Sequence, residues 1–163
     1  MELSEILITI AQLAFALAGF SGIIVAIKPK PIREWQHTEQ VSFRILIQLS
    51  AVVVFFSIFP FGINILFKNI IFWKICSLAY AVYHFVDLIF FSIVLRAVKL
   101  PVHSKLIYVG VVIACLQLFT GLTDNYSLMQ FVYLFTLVWH LSVCFLGFVM
   151  LIYGYGNDSN YSA

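Results

Sequence analysis

The sequence predicts an all-α integral membrane bundle of five helices, and three observations predict it. The chain has 163 residues, 63% of them hydrophobic and only 10% charged, whereas an ordinary soluble domain carries about 25% charged residues. So little polar surface cannot cover a globule in water. The apolar residues fall into five runs, each near the roughly 20 residues that a helix needs to cross a hydrocarbon layer. Inside such a layer the backbone N–H and C=O groups meet no water, so each run has to satisfy them internally as a helix.

The first run covers residues 3–27. A secretory signal peptide would place basic residues before a shorter apolar stretch. Here Glu2 and Glu5 come first and Lys28, Lys30 and Arg33 follow, an order expected of a retained anchor with its N-terminus outside. Ala14, Ala18, Gly22 and Ala26 recur at every fourth position. Small side chains let helix backbones approach closely in lipid, so this stripe is expected to pack on another helix, in the same chain or in a second copy.

The longest connection is KPKPIREWQHTEQ, residues 28–40. Its prolines favour an extended start, and a helix beginning near Ile32 can lead into the second span. Lys28, Lys30 and Arg33 make this loop the expected docking surface for a cytoplasmic protein partner or for anionic lipid. Trp35, Trp73, Tyr126, Tyr153 and Tyr155 are placed where interfacial aromatic residues belong.

The second run covers residues 41–67 and contains Pro60 and Gly62. It either stops at Phe59 or kinks and continues. Lys68-Asn69 then marks a tight turn into the third run, residues 70–96. The fourth covers 104–122 and the fifth 128–153, and the polar stretch 154–163 is expected to be a flexible tail. No segment is long enough for a soluble domain, so residues 1–163 form a single membrane domain. Basic residues orient it: Lys28, Lys30, Arg33, Arg44, Arg96, Lys99 and Lys105 cluster at one side, against Lys68 and Lys74 at the other. The richer side is cytoplasmic, which places the N-terminus outside and the C-terminus inside.

Chemistry-bearing residues are sparse within the runs. YAVYHFVDLIFFS, residues 80–92, is apolar all round yet holds His84 and Asp87 three positions apart. Tyr80 and Ser77 share their face, and Tyr83 reaches Asp87 by i, i+4 spacing. His84 lies near the centre of the third span and His140 near the centre of the fifth. The two spans run in the same direction, so both imidazoles are expected at similar depth. An ionised aspartate there costs at least about 2.5 kcal/mol, so it has to be protonated, paired or open to water. The cluster is therefore either a hydrogen-bonded clamp or part of a proton-conducting or water-filled path, with Gln12, Gln48, Asn64 and Gln117 as candidate lining residues.

No cofactor or metal is expected, since no ligand spacing identifies one. The alternative is a haem held by two histidines, or a metal held by two histidines and a carboxylate. Cys76, Cys115 and Cys144 each lie inside a different run, as small hydrophobes do. Phosphate loops, dinucleotide fingerprints and H-E-x-x-H patterns are absent from the sequence, and no basic face suits nucleic acid.

Gly19-Phe20-Ser21-Gly22 resembles the GxSG nucleophile motif of rhomboid intramembrane proteases, which implies Ser21 as nucleophile and His84 or His140 as base. Depth argues against that assignment. Ser21 lies about six residues from its helix end and the histidines about twelve from theirs, an axial gap near 10 Å at about 1.5 Å per residue. No catalytic residue is therefore assigned. The stretch LAFALAGFSGIIVAI, followed by a basic loop and Trp35, resembles small uncharacterised prokaryotic multi-pass membrane proteins, a likeness that implies no activity.

The expected function is a homo-oligomeric, channel-like or permeability-altering component of a prokaryotic cytoplasmic membrane. One alternative is a noncatalytic sensor or subunit that docks a partner through residues 28–40. The other is a haem- or metal-binding redox subunit.

Overall fold

The structure, a computed structural model, describes residues 2–67, 70–98 and 103–158. Those residues form five long helices and no strand: α1 (Leu3–Ile27), α2 (His37–Leu66), α3 (Ile70–Val98), α4 (His103–Leu122) and α5 (Tyr126–Asp158), with a short 3-10 turn at Ile32–Glu34. Each long helix has the length and apolarity needed to cross a membrane.

The helix ends follow from local chemistry. Glu5 accepts the backbone N–H of Glu2 at 3.1 Å, satisfying one of the amides left over at the start of α1. Glu39 does the same for Gln36 at 3.1 Å, and α2 consequently begins at His37, four residues before the expected span. At the start of α5, Asn125 Oδ1 accepts the Leu128 N–H at 3.0 Å, as an N-cap asparagine does. α5 continues through Asp158, so residues 154–158, expected within the tail, are helical. Lys68-Asn69, Lys99 and residues 159–163 lie outside the described residues.

Pro60 sits inside α2, which continues past it to Leu66. A proline has no N–H, so the carbonyl four residues earlier loses its helical donor. That carbonyl belongs to Phe56, and the Tyr133 hydroxyl donates to it at 2.6 Å. The helix continues because a side chain from α5 supplies the bond that the proline cannot.

The chain divides into two units, one of Met1–Phe55 with Val138–Ala163 and one of Phe56–Leu137. In the first, the connection between α1 and α2 is a tight corner. Lys28 Nζ pairs with Glu39 Oε1, the two side chains being 4% and 3% exposed. The ammonium also lies 4.2 Å from the centre of the Trp35 ring. Trp35 donates its indole N–H to Lys30 O at 2.8 Å, packs edge-on against Phe43, and has its own carbonyl bonded by Gln40 Nε2 at 2.9 Å. Elsewhere in this unit Gly147 of α5 lies against Ser42 and Leu46 of α2, and the Ser50 hydroxyl contacts Cys144 Sγ at 3.9 Å.

The buried face of α1 runs through Leu7, Ile10, Ala11, Ala14 and Ser21. Of the small-residue stripe, Ala14 is buried and Ala18 half-buried, while Gly22 and Ala26 are exposed. A Cβ added at Gly22 would meet nothing within 4 Å. The cause is geometric: four residues turn a 3.6-residue helix through about 400°, so a strict fourfold spacing drifts by about 40° per step. By Ala26 the stripe has left the face that carries Ala14.

In the second unit, Phe56 of α2 stacks on Tyr80 of α3 at 4.1 Å, and Tyr80 meets the edge of Tyr133 at 5.3 Å. Trp73 packs against Tyr133 and donates its indole N–H to the Tyr126 hydroxyl at 3.0 Å. Trp35 and Trp73, expected at a membrane interface, are thus both buried by protein. Aromatic rings with one polar atom can be buried when that atom finds a partner, and both indoles do.

Candidate functional site: the polar seam of α3 and α4

α3 and α4 pack along a face of α4 formed by Gly110, Ile113, Ala114, Gln117, Thr120 and Gly121, all buried. These positions recur at three and four residues, as one face of a helix requires. The opposite positions, among them Val112, Cys115, Leu116 and Phe119, are exposed. Two glycines bring the backbones close. A Cβ at Gly110 would lie 2.7 Å from Leu88 Cδ2 and 3.7 Å from His84 Nε2, and one at Gly121 would lie 3.0 Å from Leu78 Cδ2 and 3.4 Å from Ser77 Oγ. His84 is therefore opposite Gly110, and Ser77 is opposite the Gln117–Gly121 turn, as antiparallel helices demand.

Polar groups occupy this seam at two levels. At the first, His84 faces α4 and is 1% exposed. Asp87, three residues on along α3 and 9% exposed, accepts from the hydroxyl of Tyr83 at 3.5 Å, whose ring packs against Phe56 of α2. Tyr80, one helical turn before His84, is fully buried in the aromatic cluster. Seven residues back along α3, about 10 Å at 1.5 Å per residue, is the second level. There the Ser77 hydroxyl donates to Gln117 O at 3.2 Å, and the Thr120 hydroxyl donates to the same carbonyl at 3.1 Å. The Gln117 side chain is completely buried. Neither its amide nitrogen nor its amide oxygen has a hydrogen-bond partner among the described residues.

The other expected residues lie elsewhere. His140 is buried at 3% exposure but belongs to the first unit. Of the four candidate lining residues only Gln117 is fully buried; Gln48 is half-buried, and Gln12 and Asn64 are exposed. In the basic loop, Lys30 and Arg33 are exposed, whereas the Lys28 ammonium is engaged by Glu39. Ser21 is buried and its hydroxyl donates to Ala18 O at 2.6 Å, within its own helix. Among the described residues no three His, Cys, Asp or Glu side chains gather as a metal ion would need. None of the three cysteines forms a disulfide.

Several residues that shape the site carry a signal in the sequence that polarity alone does not reveal. Gly110-x3-Ala114 is a small-residue pair of the kind that brings helices together in lipid. Gln117-x2-Thr120-x2-Thr123 is a polar line at threefold spacing. The donor role of Tyr133 has no local signal, because it depends on a proline 73 positions earlier in the chain.

No protein-family model matches the chain, and comparison with curated proteins and with solved structures yields no match either.

Proposed function

We propose that the protein is an integral membrane component, N-terminus outside and C-terminus cytoplasmic, whose α3–α4 seam relays protons across part of the bilayer. The membrane reading is supported by the large apolar side chains left exposed along every helix, such as Phe15, Phe55, Ile89, Phe119 and Phe145. In water they would form apolar patches far larger than soluble monomers carry; in lipid they need no cover.

One observation carries the functional reading: His84 and Asp87 are buried together in the middle of an apolar helix. Ionisable groups at such depth are costly and are characteristic of proton and ion pathways. Histidine changes charge within the physiological range, and a neighbouring carboxylate gives a proton a second place to reside. The relay would lie within each protomer rather than in a lumen shared between copies, because His84 and Asp87 are both buried inside one chain. Gln12 and Asn64, exposed on α1 and α2, carry amides that both donate and accept, which suits contact with further copies in a homo-oligomer.

The test is proton uptake into liposomes holding the purified protein and a pH-sensitive dye, driven by a potassium diffusion potential. Uptake above that of empty liposomes is expected, with its loss in Asp87→Asn and in His84→Ala while circular dichroism and elution profile stay unchanged. Wild-type uptake retained in both variants would sink the relay and leave the pair as a structural clamp.

A further inference from the structure

We infer that Gln117 is a water-binding station at the inner end of a one-sided inlet, marked by Thr120 in the last turn of α4 and by Thr123 just past the helix end, that leads from the α4–α5 connection towards the His84–Asp87 level. The inference deepens the relay reading and rests on the membrane assignment beneath it.

Gln117 is the starting point. Its amide has two N–H donors and an acceptor oxygen, all completely buried and without partners among the described residues. Leaving such groups unbonded is costly, and a lipid surrounding offers them nothing. Buried polar groups of this kind are satisfied by internal water, which needs two to four polar partners. They are at hand. The Ser77 and Thr120 hydroxyls spend their protons on Gln117 O, so each hydroxyl oxygen still has lone pairs to accept from water. Gln117 supplies both signs itself.

A route to solvent leads away from this point in one direction. The Thr123 hydroxyl donates to Thr120 O at 2.8 Å, as Thr120 does to Gln117 O, so two hydroxyls follow Gln117, one in the last turn of α4 and one just past its end. The line ends at Asp124, 84% exposed, which holds Lys74 of α3 at 2.5 Å. From Gln117 to Leu122, where α4 ends, is five residues, about 7–8 Å at 1.5 Å per residue, and Asp124 follows two residues later. Deeper than Gln117, between it and His84, the seam narrows to Ala81 and Ala114, both fully buried. Water is thus admitted from the Asp124 end as far as Gln117, with the alanine step between it and the titratable pair. By the charge asymmetry of the sequence this mouth is the outer one.

X-ray hydroxyl-radical footprinting in lipid nanodiscs reads the water itself, because radicals formed from bound water oxidise the side chains beside it. In the native protein the buried Cys76 and the half-buried Leu78, flanking Ser77, should be oxidised, and Gln117→Leu should reduce that oxidation to the level of the apolar core around Leu137. Gln117→Asn, which keeps an amide, should retain it. The absence of oxidation at Cys76 and Leu78 in the native protein overturns the inference without recourse to any variant. Equal oxidation in the native protein and in a folded Gln117→Leu protein overturns it too. Leu116 and Phe119, on the exposed side of α4, report separately on the membrane: they should stay unmarked. Oxidation there as fast as at Tyr126 would refute the membrane assignment itself.

Discussion

Pro60 has no N–H, so the Phe56 carbonyl has no donor within its own helix. Tyr133, buried with its ring among Trp73 and Tyr80, supplies one from α5. The two residues are therefore energetically coupled across the unit. Tyr133→Phe keeps the ring and strands a buried carbonyl, which should cost about 1–3 kcal/mol. In a Pro60→Ala background the restored helical N–H takes over the carbonyl, and the same Tyr133→Phe change should cost much less. Unfolding by denaturant titration in micelles measures the cycle. Equal costs in the two backgrounds would show that the hydroxyl does not serve the proline.

At the scale of elements, the α1–α2 corner shows how a loop that reads as a charged surface becomes an internal joint. Lys28 ends α1, Glu39 lies in the first turn of α2, and Trp35 covers the pair between them. Glu39 has a double task, since its second oxygen accepts the Gln36 N–H at the start of α2. Removing one member of a buried ion pair leaves the other charge unpaired, a cost of about 3–5 kcal/mol, whereas replacing both with apolar residues of similar size is often neutral. Lys28→Met and Glu39→Leu are each expected to lower the thermal midpoint sharply, and the double variant is expected to recover most of the loss. A double variant as unstable as the sum of the two singles would mean that the pair is not the source of the effect. If residues 28–40 dock a partner, the exposed Lys30 and Arg33 are the cations at the loop's surface, Arg33 sharing its charge with Glu34 at 3.6 Å.

At the scale of the whole molecule, the five long helices and the exposed apolar side chains on each of them set the environment. The protein is expected to stay with the membrane through alkaline carbonate washing and to leave only with detergent. Cysteine introduced at Ser127, beside the α4–α5 connection, is expected to react with an impermeant maleimide from outside intact cells. Cysteine at Arg33 is expected to react only after the cells are opened. The reverse pattern would invert the orientation and place the inlet at Gln117 on the cytoplasmic side, while recovery in the soluble fraction would remove the membrane reading altogether.

What could be read from the sequence, and what could not, divides along a physical line. Run length and composition sufficed for the number of helices, because they report on the solvent the chain needs and on nothing nonlocal; all five fall where the runs predicted, with α1 matching residue for residue. The Tyr83–Asp87 contact was legible for a related reason, being one turn of a single helix. The starts of α2 and α5, where Glu39 and Asn125 cap the chain, lie earlier than the apolar runs alone indicate. Which face of a helix is buried is a different matter. The fourfold stripe on α1 drifted away from the packed face, while the partners of α4 were fixed by glycines whose only visible property is the absence of a side chain. Likewise Lys28 looked like a free cation until Glu39 was brought to it, and Gln117 was one polar residue among four until packing closed over it alone. Local spacing determines what a helix can present, but only the helix lying opposite decides which of those groups are paired, buried or left in need of water.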